Sequence, residues 1–187
     1  MKTWKIISGV VGLSVVTYVG LPKLLNRLGL HPGYEGRRYN HLGKRALVIT
    51  TSHDTLGESG KATGVYASEM TVPYYEFVDA NMQVDVASIK GGEIPIEPMS
   101  LRWPLTTHSD KRYLADPDFR EKVQHSLKVD HVDFTGYDLI YMAGGWGAAY
   151  DLGVSEVLGR KLGEAYAAGA VLGSVCHGAL GFLKVTD

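Results

Sequence analysis

The sequence predicts an α/β domain in which a parallel sheet is sandwiched by helices. Three observations carry that reading. Short apolar runs rich in β-branched residues recur along the chain, amphipathic helix patterns separate them, and glycines stand at the carboxyl ends of the runs. Strands that are apolar on both faces belong inside a sheet covered from both sides. Ligand sites in such sheets lie at the carboxyl ends of the strands.

Residues 46–51 (ALVITT) form the first predicted strand, followed by the polar loop SHDTLGESGKATG. Residues 65–80 carry a helix pattern with Tyr66, Met70, Tyr74, Phe77 and Val78 on one broad face, and Pro73 is a possible kink. Residues 83–89 (QVDVASI) form the next strand, ended by Gly91-Gly92. The stretch IPIEPMSLRWPL holds too many prolines for a regular element and reads as an ordered excursion. A surface helix is predicted over 116–127, with Pro117 in its first turn. Residues 139–143 (LIYMA) form a third strand that breaks at Gly144-Gly145, and 155–168 a helix capped by Ser155. A fourth strand covers 170–175, and a further helix opens at Cys176.

Composition bounds the function. Of 187 residues, 45% are hydrophobic and 21% charged, which excludes a disordered tail, a fibre and a coiled-coil rod. Nineteen basic against twenty acidic residues give a net charge of −1, so no global basic field recommends nucleic acid as a partner. The single cysteine excludes an intrachain disulfide and a cysteine-cluster metal site.

The domain is expected over 44–187, after two other segments. Residues 6–21 (IISGVVGLSVVTYVGL) hold no charge, and Lys2, Lys5 and Lys23 flank them. With Trp4 and the snorkelling lysines, residues 1–25 are just long enough for a single-pass membrane anchor. A cleavable signal peptide is the second reading, weakened because no small-residue pair suited to cleavage follows. Residues 26–43 form a basic Pro/Gly-containing linker. The excess of Lys23, Arg27, Arg37, Arg38, Lys44 and Arg45 over Glu35 predicts that the domain faces the cytoplasm, where a lone cysteine stays reduced. The alternative is export after signal cleavage.

Two strand ends carry chemistry. In G-S-V-C-H-G, residues 173–178, a cysteine stands where a strand turns into a helix, with small residues on both sides. This is the pattern of a nucleophile elbow with Cys176 as nucleophile and His177 beside it; the start of the following helix favours thiolate over thiol. In A-G-G-W-G-A-A-Y-D-L, residues 143–152, the glycine break exposes backbone N–H groups. Those of Gly145 and Trp146, with that of His177, can form an oxyanion hole. His53, His108, His125 and His131 lack metal-site spacing and read as surface or loop histidines. No signature for a cofactor is present.

These motifs, together with T-S-H-D at 51–54, T-G-V-Y-A-S-E at 63–69 and G-G-E-I-P-I-E-P-M-S at 91–100, resemble the PfpI/ThiJ superfamily of class I glutamine amidotransferase-like proteins. The branch most resembled is the heat-shock chaperone/glyoxalase III type. The resemblance implies a flavodoxin-like fold, Cys176 as nucleophile, His177 at the elbow, and Glu69 as the carboxyl group bonded to the cysteine sulfur, with Glu58 a weaker rival. A carboxylic acid held protonated can donate to a thiolate. Trp146 stands where the family's loop carries histidine, which leaves the backbone donors intact. The family fold continues past the elbow with a further acidic partner for the histidine, so the domain is expected to be partial.

The activity so implied is cofactor-free conversion of small reactive carbonyls such as methylglyoxal to lactate, or deglycation. A cysteine hydrolase or peptidase is an alternative. So is a non-enzymatic membrane-tethered chaperone or thiol redox sensor in which Cys176 is oxidised. Glutamine amidotransfer fits least, because the histidine adjoins the cysteine. A homodimer is a further expectation.

Overall fold

The computed structural model describes residues 37–186 together with Gly20, Leu24 and Arg27. The anchor expected over 1–25 therefore falls outside the described residues, apart from Gly20 and Leu24. The chain divides into two compact units, 1–38 and 39–187, and the second holds the sheet and both hydrophobic cores. Among the described residues no helix is long and apolar enough to cross a membrane.

One parallel sheet organises the second unit. Its strands are β1 (Arg45–Thr50), β4 (Gln83–Ser88), β5 (Leu127–Lys128), β6 (Leu139–Met142) and β7 (Val171–Ser174), in the order β5-β4-β1-β6-β7. A separate two-stranded ribbon, β2 (Thr55–Leu56) with β3 (Lys61–Ala62), decorates the loop after β1. Without the two-residue edge strand, the order β4-β1-β6-β7 is the 2-1-3-4 arrangement of flavodoxin-like sheets. The chain leaves β1 toward β4 on one side and reaches β6 on the other. The crevice between the carboxyl ends of β1 and β6 is thus the topological switch point, where such sheets bind ligands.

Alternation along β1 separates two cores. Leu47 and Ile49 point to one face, where they pack with Ile140, Met142, Leu152, Leu158 and Leu162. Ala46 and Val48 point to the other and pack with Met70, Tyr74, Tyr75, Val86 and Phe119. All four β1 residues are fully buried, as a continuous apolar run requires. Helix α1 (Ala67–Asp79) contributes Met70, Tyr74 and Tyr75 to the second core and tolerates Pro73 in its interior. Helix α5 (Glu156–Ala167) covers the first. Ser155 caps α5 by accepting the Leu158 N–H at 3.2 Å.

The helix expected over 116–127 ends earlier, Leu127 belongs to a strand, and a helix without a predicted counterpart precedes it. Helix α2 (His108–Ala115) precedes α3 (Pro117–Gln124), and Leu127 enters β5. The two helices meet at Asp116, which ends α2 and caps α3 through Asp118 N–H and Phe119 N–H. Helix α2 (HSDKRYLA) is polar and buries only Asp110 and Tyr113. It is started instead by a capping box between Thr107 and Asp110, and the buried Asp110 carboxylate accepts the Thr71 hydroxyl at 2.6 Å. The sheet has five strands rather than four, because a two-residue strand carries no periodicity to read. The element after β7 is a 3₁₀ helix, Cys176–Lys184.

Candidate active site

Three chain segments meet at the carboxyl edge. The first is the start of α1, where Tyr66 N–H donates to Gly144 O at 3.3 Å. The second is the loop after β6, whose Gly147 N–H donates to Gly64 O at 3.2 Å. The short helix α4 (Ala148–Asp151) follows this loop. The third is the turn after β7, tied back by the Val175 N–H to Met142 O at 3.2 Å.

Gly144 sits at their junction. A Cβ there would come 2.6 Å from Glu69 Oε2 and 2.7 Å from His177 N. Only a residue without a side chain lets those groups converge. Gly145 has φ +100° and its backbone lies against residues 64–66, so it too is confined to glycine.

Cys176 occupies the left-handed region at φ +52°. Such a conformation in a non-glycine residue costs of order 1–3 kcal/mol and is sustained by its surroundings. Here those are the β7 hydrogen bond before it and Gly178 after it, whose own Cβ would strike the Met142 carbonyl. The strained turn lifts the thiol off the sheet edge, and Cys176 is exposed. Its Sγ lies 3.4 Å from His177 Nδ1.

Glu69, in the first turn of α1, approaches from the other side. Its Oε2 accepts the Gly144 N–H at 3.0 Å. Burial pushes the Glu69 carboxyl above the usual carboxylate range, against the opposing pull of Cys176, the Gly144 N–H and the charge of His177. A carboxyl group so held takes up a proton more readily than an exposed one, and once protonated it can donate a hydrogen bond. Glu58 lies exposed in the 3₁₀ turn Gly57–Ser59 on the excursion after β1.

The Gly144 N–H is taken by Glu69 and that of Gly147 by Gly64, with Gly145 and Trp146 between them. The Trp146 indole lies against the His177 imidazole, with centroids 4.7 Å apart and planes at 38°. His53 follows β1 and stacks on Tyr150 at 4.2 Å. His108 opens α2, while His125 and His131 are exposed near β5.

Sequence reasoning gave Asp151 no role. Its Oδ2 accepts the Ser52 N–H at 2.8 Å and so ties the end of β1 to the segment after β6 across the switch point. Burial pushes this carboxyl upward, against the Ser52 N–H and Thr51 that lower it. The signal available was an acidic residue on a short apolar helix directly after a glycine loop.

Residues 61–186 match the family model described as the DJ-1/PfpI family. The chain belongs to the DJ-1/PfpI family. The chain is 30% identical over 139 residues to the glutathione-independent glyoxalase hsp3102 of Schizosaccharomyces pombe, covering 73% of this chain and 58% of the relative. It is 27% identical over 146 residues to the glutathione-independent glyoxalase HSP31 of Saccharomyces cerevisiae, covering 77% and 61%. Among solved structures, the Rapid Encystment Protein 24 kDa of Francisella tularensis matches with a TM-score of 0.72 at 37% identity, over 77% of this chain and 63% of that one. Glyoxalase III of Candida albicans matches with a TM-score of 0.69 at 24% identity, over 77% and 61%, a likeness of fold. The chain thus spans about three fifths of the length of the relatives it matches.

Proposed function

We propose that this DJ-1/PfpI domain carries out cofactor-free chemistry on small 2-oxoaldehydes, turning methylglyoxal into lactate, with Cys176 as nucleophile. The observation that carries the reading is the Cys176 thiol, raised on a strained turn near the half-buried Glu69 carboxyl and the His177 imidazole. The names of the relatives from Schizosaccharomyces pombe and Saccharomyces cerevisiae support it.

The reaction runs in three steps. The Cys176 thiolate attacks the aldehyde carbon; the C–S bond forms, and the C=O π pair moves to oxygen. The N–H groups of Gly145, Trp146 and His177 face the developing oxyanion, which takes a proton to give a hemithioacetal. A base, His177 or Glu69, then removes the proton from the former aldehyde carbon to form an enediol. Reprotonation at the neighbouring carbon leaves a 2-hydroxy thioester. Water cleaves the C–S bond, releasing the 2-hydroxy acid and the thiol. Oxidation of one carbon balances reduction of its neighbour, so no external oxidant or reductant enters.

Lactate formation from methylglyoxal by the full chain tests the proposal, with Cys176→Ala beside it. Turnover that disappears in the variant is the expected result. Equal turnover in both proteins, or none in either, overturns it.

A further inference from the structure

The indole of Trp146 is 55% exposed against the imidazole that neighbours Cys176, and both of its backbone neighbours are pinned. Gly145 lies against the backbone of residues 64–66 at φ +100°, and the Gly147 N–H is held by Gly64 O at 3.2 Å. The ring is therefore carried on a fixed segment. On one side it meets the His177 imidazole at 4.7 Å, and His177 Nδ1 is in turn 3.4 Å from Cys176 Sγ. Leaving so large an apolar side chain half in water is unfavourable for the free protein. A flat apolar group bound there would cover it.

We propose that Trp146 is a specificity-determining residue, a rigid aromatic wall that selects carbonyl compounds bearing an aryl or similarly flat apolar substituent. The inference rests on the cysteine-based reading above and names the substrate class for it. Once a carbonyl carbon is within reach of Cys176 Sγ and its oxygen faces the backbone donors, the substituent has to leave along the remaining side. Trp146 and His177 stand together beside the thiol, and their rings offer an offset or edge-on surface to an aromatic group. A methyl group gains little from that surface. Aromatic pairs are worth about three- to tenfold in affinity beyond simple area burial.

The test uses alkylation of the one cysteine, so it does not depend on turnover. Full-length protein is treated with 2-bromoacetophenone or with bromoacetone. In each case the C–S bond forms as bromide leaves with the C–Br electron pair, and the Cys176 adduct is followed by mass spectrometry. Each rate is divided by the rate for N-acetylcysteine. The aryl-to-methyl ratio should be about three to ten for the wild type, remain at least half as large in Trp146→Phe, and fall to about one in Trp146→Ala. A wild-type ratio near one, or a Trp146→Ala ratio equal to that of the wild type, overturns the proposal. Loss of methylglyoxal turnover with the ratio intact overturns only the activity; turnover with a flat ratio overturns only the wall.

Discussion

Replacing Glu69 separates hydrogen-bond donation from proton transfer. The carboxyl group has two relations: Oε2 accepts the Gly144 N–H at 3.0 Å, and the group interacts with Cys176. Glu69→Ala removes both. Leaving a half-buried N–H without its acceptor costs about 1–3 kcal/mol, which for a domain of this size lowers Tm by about 2–12 °C. A hydrogen bond donated to the sulfur as it reacts would be worth about 1.5–3 kcal/mol, so its loss should slow iodoacetamide alkylation of Cys176 about 10- to 150-fold. Glu69→Gln keeps an acceptor for Gly144 and an N–H donor for sulfur, so its alkylation rate stays within about threefold of wild type. Gln cannot carry a proton to or from carbon. If Glu69 is the base of the enediol step, Glu69→Gln loses methylglyoxal turnover while alkylation persists; if His177 is, both persist.

Stability gives an independent reading of the same carboxyl. Its folded-state pKa is raised above the ordinary value of 4.5 by burial. Its contribution is therefore fully present below that value and is lost as pH rises through the folded-state pKa. Glu69→Gln carries no such dependence. The Tm of Glu69→Gln relative to wild type should be higher at pH 7.5 than at pH 4, read by calorimetry or fluorescence melting. Alkylation of Glu69→Ala at the wild-type rate, or a Glu69→Gln Tm difference that is flat with pH, would refute the reasoning.

Other outcomes are expected from the same geometry. Gly144→Ala places a Cβ 2.6 Å from Glu69 Oε2 and 2.7 Å from His177 N; thermal melting should show a loss of about 1–3 kcal/mol, with slower Cys176 alkylation. Cys176→Gly relieves the φ of +52° and should raise Tm by a few degrees, about 1 kcal/mol or more, while abolishing turnover. Ser155→Ala removes the cap on α5 and should cost about 1 kcal/mol, measured by urea unfolding, with alkylation unchanged. The uncharged, lysine-flanked segment at 6–21 supports a proposal that residues 1–25 tether the protein to a membrane. Sedimentation with membranes after carbonate extraction is the expected result, and complete release by carbonate would reject it.

Residues 46–49, 83–88 and 139–142 were legible as strands because β-branched apolar runs cannot be satisfied outside a covered sheet. The elbow at Cys176 was legible for a similar local reason: small residues around a cysteine at a strand end report a crowded turn. The helix at His108–Ala115 was not, since its stability comes from a capping box and a buried Thr71–Asp110 bond rather than an apolar stripe. Nor was the two-residue strand at Leu127–Lys128, which exists only because β4 offers it a pairing edge.

The site divides the same way. Local sequence placed a thiol and an imidazole side by side and a glycine break after β6, since neighbours in sequence are neighbours in space. Periodicity alone left Glu69 a solvated helix residue and gave no ground for preferring it to Glu58. The tertiary structure carries the first turn of α1 onto Gly144, 75 residues away, and leaves Glu58 exposed on the excursion after β1. It also laid Trp146 over His177 and tied Asp151 to Ser52. Those contacts join segments from different strands, and only the order of strands in the sheet brings their ends together.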